Sequence, residues 1–174
     1  MNIELKIGRA TFNEVKFCVS ALDRKSDKEY RTVIKIDKGV MTGTDGYRLH
    51  QWLECNYLDG YYKVFKNTKI MMILTEITGH EVDYPDLKPV FQEDKKHSLM
   101  FSNFIFETVG KENLRVSRHA IITRDMLDVD RALYFNYLDA LDGVFDVYYY
   151  ERNSPIIFVN KEKAIRAAIM PVVF

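Results

Sequence analysis

The chain has no excess of positive charge with which to hold a polyanion. Its 25 lysines and arginines are matched by 25 aspartates and glutamates, so the formal net charge is zero. A protein that held DNA by bulk attraction would need a net or strongly clustered positive charge, so only local lysine clusters remain open. Cysteine is scarce as well. Cys18 and Cys55 are the only two, and they sit in no metal or redox spacing. That excludes a disulfide framework, leaves each as a buried structural side chain, and fits a reducing, cytoplasmic setting. The longest apolar runs fall well short of a membrane span. The opening Met1-Asn2-Ile3-Glu4-Leu5-Lys6 alternates like a strand and lacks a signal-peptide core.

Groups that converge on chemistry are missing too. His50, His80, His97 and His119 show no metal-ligand spacing and read as surface or hydrogen-bonded side chains. Asp125, Asp128 and Asp130 alternate with apolar residues. A carboxylate metal site is conceivable there, but the solvated face of a strand or turn explains them more simply. There is no glycine-rich phosphate loop, no nucleophile elbow and no acid, base and nucleophile set. The expectation is a protein that is not an enzyme and needs no metal or cofactor.

What is present is a globular composition. The 174 residues are 47% apolar and 29% charged, enough for one large domain or two small ones with a sizeable core. Ile3, Leu5 and Ile7 predict a strand. Thr11 with Glu14 has the form of a capping box, and Phe12, Val15, Val19 and Leu22 continue at helical spacing, so residues 11–23 read as an amphipathic helix. Strands are predicted at 30–36 and 40–44, joined by Asp37-Lys38-Gly39. Asp45-Gly46 turns the chain into another strand, 47–53. A strand at 61–65 leads into a second helix at 68–77, ended by Gly79. Residues 83–87 read as an ordered linker. Strands follow at 98–101, 104–109 and 114–122. Leu133–Phe135 is a short apolar segment, Asn136 caps a helix at 137–141, and strands are expected at 144–150, 156–159 and 164–173. The recurring order of strand, helix and several strands predicts an α+β fold of antiparallel sheets with helices packed on one face and an internal pseudo-repeat.

Two short pieces carry the functional reading. Thr44-Asp45-Gly46-Tyr47-Arg48-Leu49 is a strand running into a tight turn, and Gly46 suits a position of positive φ. Ile169-Met170-Pro171-Val172-Val173-Phe174 is an apolar strand. Brought together, they would form an apolar pocket with an arginine at its lip, the kind of patch that grips a peptide. Tyr148-Tyr149-Tyr150 invites a base-stacking reading, although ordinary strand packing explains three such aromatics more simply.

At these residues the chain resembles the bacterial DNA polymerase III β subunit, the sliding clamp. The family carries Thr-Asp-Gly-His-Arg-Leu where Thr44–Leu49 stands here, with Tyr47 in place of the histidine. It ends on a Met-Pro-Met-Arg-Leu type strand where Met170–Phe174 reads Met-Pro-Val-Val-Phe. Tyr84-Pro85-Asp86-Leu87 is similar to its Phe-Pro-Asp-Tyr interdomain linker. Phe135–Leu141, Ser154-Pro155-Ile156-Ile157 and the stretch from Leu5 to Leu22 are similar to further segments. The family has three domains per subunit. The resemblance implies a condensed version of the last two, a first clamp-like domain over 1–82, a linker over 83–91 and a second clamp-like domain over 92–174.

The resemblance also implies a DNA-clamp function in DNA replication, as a cytoplasmic, non-enzymatic protein that binds DNA and assembles as a homo-oligomer. Its partners would be replication proteins carrying clamp-binding peptides, and non-specific double-stranded DNA, with no membrane. Carried over by position, the peptide pocket would use Thr44, Gly46, Tyr47, Arg48 and Leu49 with Met170, Pro171, Val172 and Val173, lined further by Pro85, Val90 and Ser154. The DNA-facing cations would be Lys16, Arg24, Lys25 and Lys69. The alternative is a stand-alone interaction or inhibitor module of clamp-like fold that does not encircle DNA.

Overall fold

The computed structural model describes residues 2–6, 11–79, 81–91, 98–106, 131–132, 137, 140–149 and 154–173. They form two compact units. The first takes Met1–Asp86 and Glu162–Arg166, and the second takes Leu87–Lys161 and Ala167–Phe174.

The first unit is an antiparallel sheet with one helix against it. Its elements are β1 (Asn2–Lys6), α1 (Phe12–Ser20), a single 3-10 turn (Glu29–Arg31), β2 (Val33–Asp37), β3 (Val40–Thr44), β4 (Arg48–Trp52), β5 (Gly60–Asn67) and β6 (Met71–Glu76). The strand order is β1-β6-β5-β2-β3-β4, and each neighbouring pair is antiparallel. Helix α1 presents Phe12, Val15, Cys18 and Val19 inward, the spacing that puts side chains on one helical face. It packs on β3 and β4. The core beneath it holds Ile34, Ile36, Met41, Tyr62, Met72 and Leu74, all buried. Contact is so close at Gly43 that an added Cβ would overlap the Cys18 carbonyl oxygen and lie 3.0 Å from Ile34 Cδ1. Cys18 and Cys55 are both buried, and burial pushes both thiols up from their ordinary range.

Three expectations are corrected in this unit. The capping box does not form. Thr11 has φ 88° and makes no side-chain cap; its hydroxyl is instead 3.0 Å from the Tyr57 hydroxyl. The second helix, expected at 68–77, is the strand β6. Met72 and Leu74 are buried while Met71, Ile73 and Thr75 are half-buried, a period of two that suits the β-branched residues in this run. A turn closes the hairpin, with Thr68 N–H donating to Met71 O at 2.8 Å and Met71 N–H donating to Thr68 Oγ1 at 3.0 Å. A short apolar run cannot be assigned by periodicity alone, and pairing with β1 and β5 decides it. Third, the strand expected from Tyr30 begins only at Val33, after the 3-10 turn.

In the second unit, α2 is the short helix Lys88–Phe91, and the strands are β7 (Ser98–Phe106), β8 (Arg131–Ala132), β9 (Gly143–Tyr149), β10 (Ile156–Asn160), β11 (Ile165–Ile169) and β12 (Val172–Val173). β7, β9 and β10 pair antiparallel, and β8 pairs with β12. Phe145, Val147, Ile156, Phe158, Ala167 and Ile169 are buried. The strands expected at 98–101 and 104–109 are one strand, with register shifts between Leu99 and Phe101 and between Phe101 and Phe104. Bulges absorb the polar Ser102-Asn103 without ending the pairing. The strand expected over 164–173 breaks at Met170-Pro171, because proline has no N–H for the ladder. The expected strand at 114–122, the segment 133–135 and residues 138 and 139 of the helix expected at 137–141 lie outside the described residues, as do Asp125, Asp128, Asp130, His80, His97 and His119.

Residues 162–166 return to the first unit. There Leu53 N–H donates to Ala164 O at 2.8 Å, and Arg166 Nε donates to Gln51 Oε1 at 2.8 Å.

Candidate functional site

The turn between β3 and β4 is built from its own side chains. Asp45 is buried, and its Oδ1 accepts from the backbone N–H of Tyr47 and of Arg48, each at 2.9 Å. Its Oδ2 takes the Arg48 Nε at 2.9 Å. Thr44 Oγ1 donates to Arg48 O at 2.7 Å and accepts from Gly46 N–H at 3.0 Å. Gly46 has φ 90°, a conformation in which a side chain would be strained. These bonds leave Tyr47 at the tip, 57% exposed.

β2 begins at the end of the sheet where β3 leaves and β4 returns, so the 3-10 turn delivers Arg31 to the same place. Its Nε donates to the Tyr30 hydroxyl at 3.1 Å. Its Cζ lies 5.5 Å from the Tyr30 ring centroid and 5.7 Å from that of Tyr47. A second aromatic group adjoins Tyr30 in space. Tyr84 contacts the rings of Tyr30 and Tyr61, each at 6.1 Å between centroids, and Lys35 Nζ is 5.6 Å from its own centroid. Thus Tyr84 pins the irregular segment 83–86 within the first unit, with Pro85 exposed.

The residues expected at the pocket play unequal parts. Thr44 and Leu49 are buried, Leu49 to 3%, so they support the turn and the core. Arg48 is closed onto Asp45. Gly46 and Tyr47 are exposed. These five and Pro85 belong to the first unit. In the second, Val90, Ser154 and Pro171 are half-buried, Met170 is 38% exposed, and Val172 and Val173 pair with Ala132 and Arg131. Lys16 projects from α1, with Arg24 and Lys25 just beyond its end. Lys69 lies in the β5–β6 turn; all four are exposed. Tyr148 is half-buried on β9.

Sequence reasoning passed over Tyr30 and Arg31. Nothing local marks them, since their importance depends on which strand ends meet. Of the two readings of the histidines, surface or hydrogen-bonded, His50 takes the second. It is fully buried, stacked on Phe17 with centroids 4.3 Å apart and rings 9° from parallel. Ser20 Oγ spends its proton on Phe17 O at 2.6 Å, so His50 Nδ1–H donates to the same carbonyl at 2.8 Å. Nε2 is left buried without a partner. Burial lowers the His50 pKa to about 3. Among the described residues, no group of three or more His, Cys, Asp and Glu side chains could hold a metal ion, and no helix is long and apolar enough to cross a membrane.

Comparison with solved structures decides the fold. The DNA polymerase III β subunit of Thermotoga maritima superposes over 100% of this chain and 66% of its own, with a TM-score of 0.55 at 11% identity. The DNA polymerase sliding clamp of Bacillus subtilis matches over 100% and 64%, with 0.55 at 12%. The Helicobacter pylori β clamp bound to DNA ligase peptide matches over 98% and 66%, with 0.50 at 16%. The fold is that of the bacterial sliding clamp. This clamp-like chain spans about two thirds of the length of the clamps it matches. No model of a known protein family matches it, and no curated protein matches it in sequence. The clamp fold is therefore kept at a sequence distance where pairwise similarity has nearly vanished.

Proposed function

We propose that the protein is a non-enzymatic, clamp-like platform of DNA replication in the cytoplasm, and that it binds short peptide motifs of partner proteins. The observation that carries this reading is the turn Thr44–Leu49. It is rigidly bonded to itself yet leaves Tyr47 exposed, on a fold shared with a clamp solved with a DNA ligase peptide. The first unit contributes Gly46, Tyr47, Arg48 and Pro85 to the peptide surface, over Thr44 and Leu49. The second contributes Val90, Ser154, Met170, Pro171, Val172 and Val173. A few apolar anchors supply most of the affinity in such interfaces. Titration of a labelled DNA ligase peptide should show Met170→Ala and Tyr47→Ala each weakening binding by about fivefold or more, the loss of one good anchor. Equal affinity in all three proteins removes the peptide surface.

The two units act as successive clamp-like domains, an internal repeat over 1–82 and 92–174 joined by 83–91, and copies of the chain assemble into a ring around double-stranded DNA. Support comes from the sheet margins: among the described residues β1 pairs only with β6 and β7 only with β9, so each leaves a strand edge open for another chain. Two domains per subunit in place of three require half as many copies again for the same circumference. Lys16, Arg24, Lys25 and Lys69 would face DNA, giving salt-sensitive binding. Light scattering is expected to return one discrete multiple of the chain mass. A monomer at high concentration eliminates the ring and leaves the second reading, an interaction or inhibitor module that does not encircle DNA.

A further inference from the structure

We propose that Arg31, braced between Tyr30 and Tyr47, is a specificity determinant that reads a side-chain carboxylate in the partner peptide. The inference rests on the peptide-binding reading above and names the chemistry of the guest. Two arginines meet at the β3–β4 turn, and their situations differ. Arg48 is neutralised by Asp45 at 2.9 Å, and Asp45 has its other oxygen filled by two backbone N–H groups. Arg31 makes no ion pair among the described residues, and the Asp45 carboxylate favours its charge only from longer range. Its Nε donates to the Tyr30 hydroxyl at 3.1 Å. The guanidinium is held by the faces of two tyrosines, and its Nη2 packs against Gly46, where a Cβ would stand 2.7 Å away.

This arrangement matches what a fork donor requires. Contact with two aromatic rings restricts the guanidinium and reduces the entropy lost on binding, while the N–H groups other than Nε suit the two oxygens of one carboxylate. Tyr47, at 57% exposure, supplies apolar area next to that charge. The guest is thus an acidic residue beside an apolar anchor. Lysine could not substitute fully, because a point charge lacks the planar fork.

The probe is the DNA ligase peptide in two synthetic versions, carrying Asp or Asn immediately before its apolar anchor, titrated by fluorescence anisotropy at low salt. The full chain is expected to prefer the Asp version by about five- to tenfold, the range of a charge-assisted hydrogen bond at a partly exposed site. Arg31→Gln should bind the two versions equally, at the affinity of the Asn version, and Arg31→Lys should keep only part of the preference. An intact preference in Arg31→Gln, or none in the unmodified protein, overturns the inference while peptide binding stands. Failure of both versions to bind removes the peptide surface and this inference together. A preference that stays in Arg31→Gln while affinity for a short DNA duplex falls assigns Arg31 to phosphate instead. Should Arg31→Gln not fold, Arg31→Lys and the paired peptides on the unmodified chain still decide the matter.

Discussion

Replacing Gly43 by alanine is expected to lower the stability of the protein by roughly 3 kcal/mol, the upper range for overpacking a closed core. The reason is backbone, not side chain. Gly43 lies on β3 directly under α1, and a Cβ there would overlap the Cys18 carbonyl oxygen. That oxygen also accepts the Ala21 N–H that closes the helix, at 3.2 Å. A flexible side chain could swing aside, but a helix carbonyl moves only if the helix lifts from the sheet. Lifting α1 would open the contacts of Phe12, Val15, Phe17 and Val19, all buried. Urea unfolding followed by far-UV circular dichroism measures the loss. A midpoint within error of the unmodified protein would show that α1 does not sit against β3 in this way.

The second large effect depends on pH. His50 has a folded pKa of about 3 against an ordinary value of 6.5, because burial opposes its charged form and Arg48 adds repulsion that the Phe17 carbonyl only partly offsets. Between those two values the unfolded chain binds a proton that the folded chain refuses. Stability from this group is therefore complete above pH 6.5 and declines as the pH falls toward 3. At about 1.4 kcal/mol per pH unit, the loss on going from pH 7 to pH 4 is on the order of 3 kcal/mol. His50→Asn keeps a donor for Phe17 O and cannot titrate in this range. It should be less stable at pH 7, having lost the ring stacked on Phe17, yet show a flatter decline toward pH 4. Unfolding midpoints across that range test the idea. Parallel pH curves for the two proteins would assign acid sensitivity to other groups.

Both predictions concern the packing of α1 on the sheet, and they show how much of the molecule was legible in advance. Phe12, Val15 and Val19 mark α1 by spacing alone, and the alternation in β2 and β3 with Asp37-Lys38-Gly39 between them marks a hairpin. The run Ile70–Leu74 was not legible as a strand. Five apolar residues in a row satisfy either period, and only its neighbours β1 and β5 settle the choice. Gly43 likewise reads as an ordinary strand glycine until a helix is laid across it.

The same division holds at the candidate site. Asp45-Gly46 declares a turn by itself, since a carboxylate that bonds the next backbone N–H groups and a residue free to take positive φ are local properties. The likeness of Thr44–Leu49 to the clamp motif is local as well. The closure of Arg48 onto Asp45, three residues apart, is local too. Tertiary structure buries Leu49 and brings Arg31, separated by more than a whole strand, against Tyr47. The sequence by itself determined the turns, the amphipathic helix and the local resemblance to the clamp motif, because these depend on residues close together in the chain. Tertiary structure alone decided that Arg31 meets Tyr47, that His50 is buried and that Gly43 is irreplaceable, because each depends on strand ends and faces that meet only when the sheet is assembled.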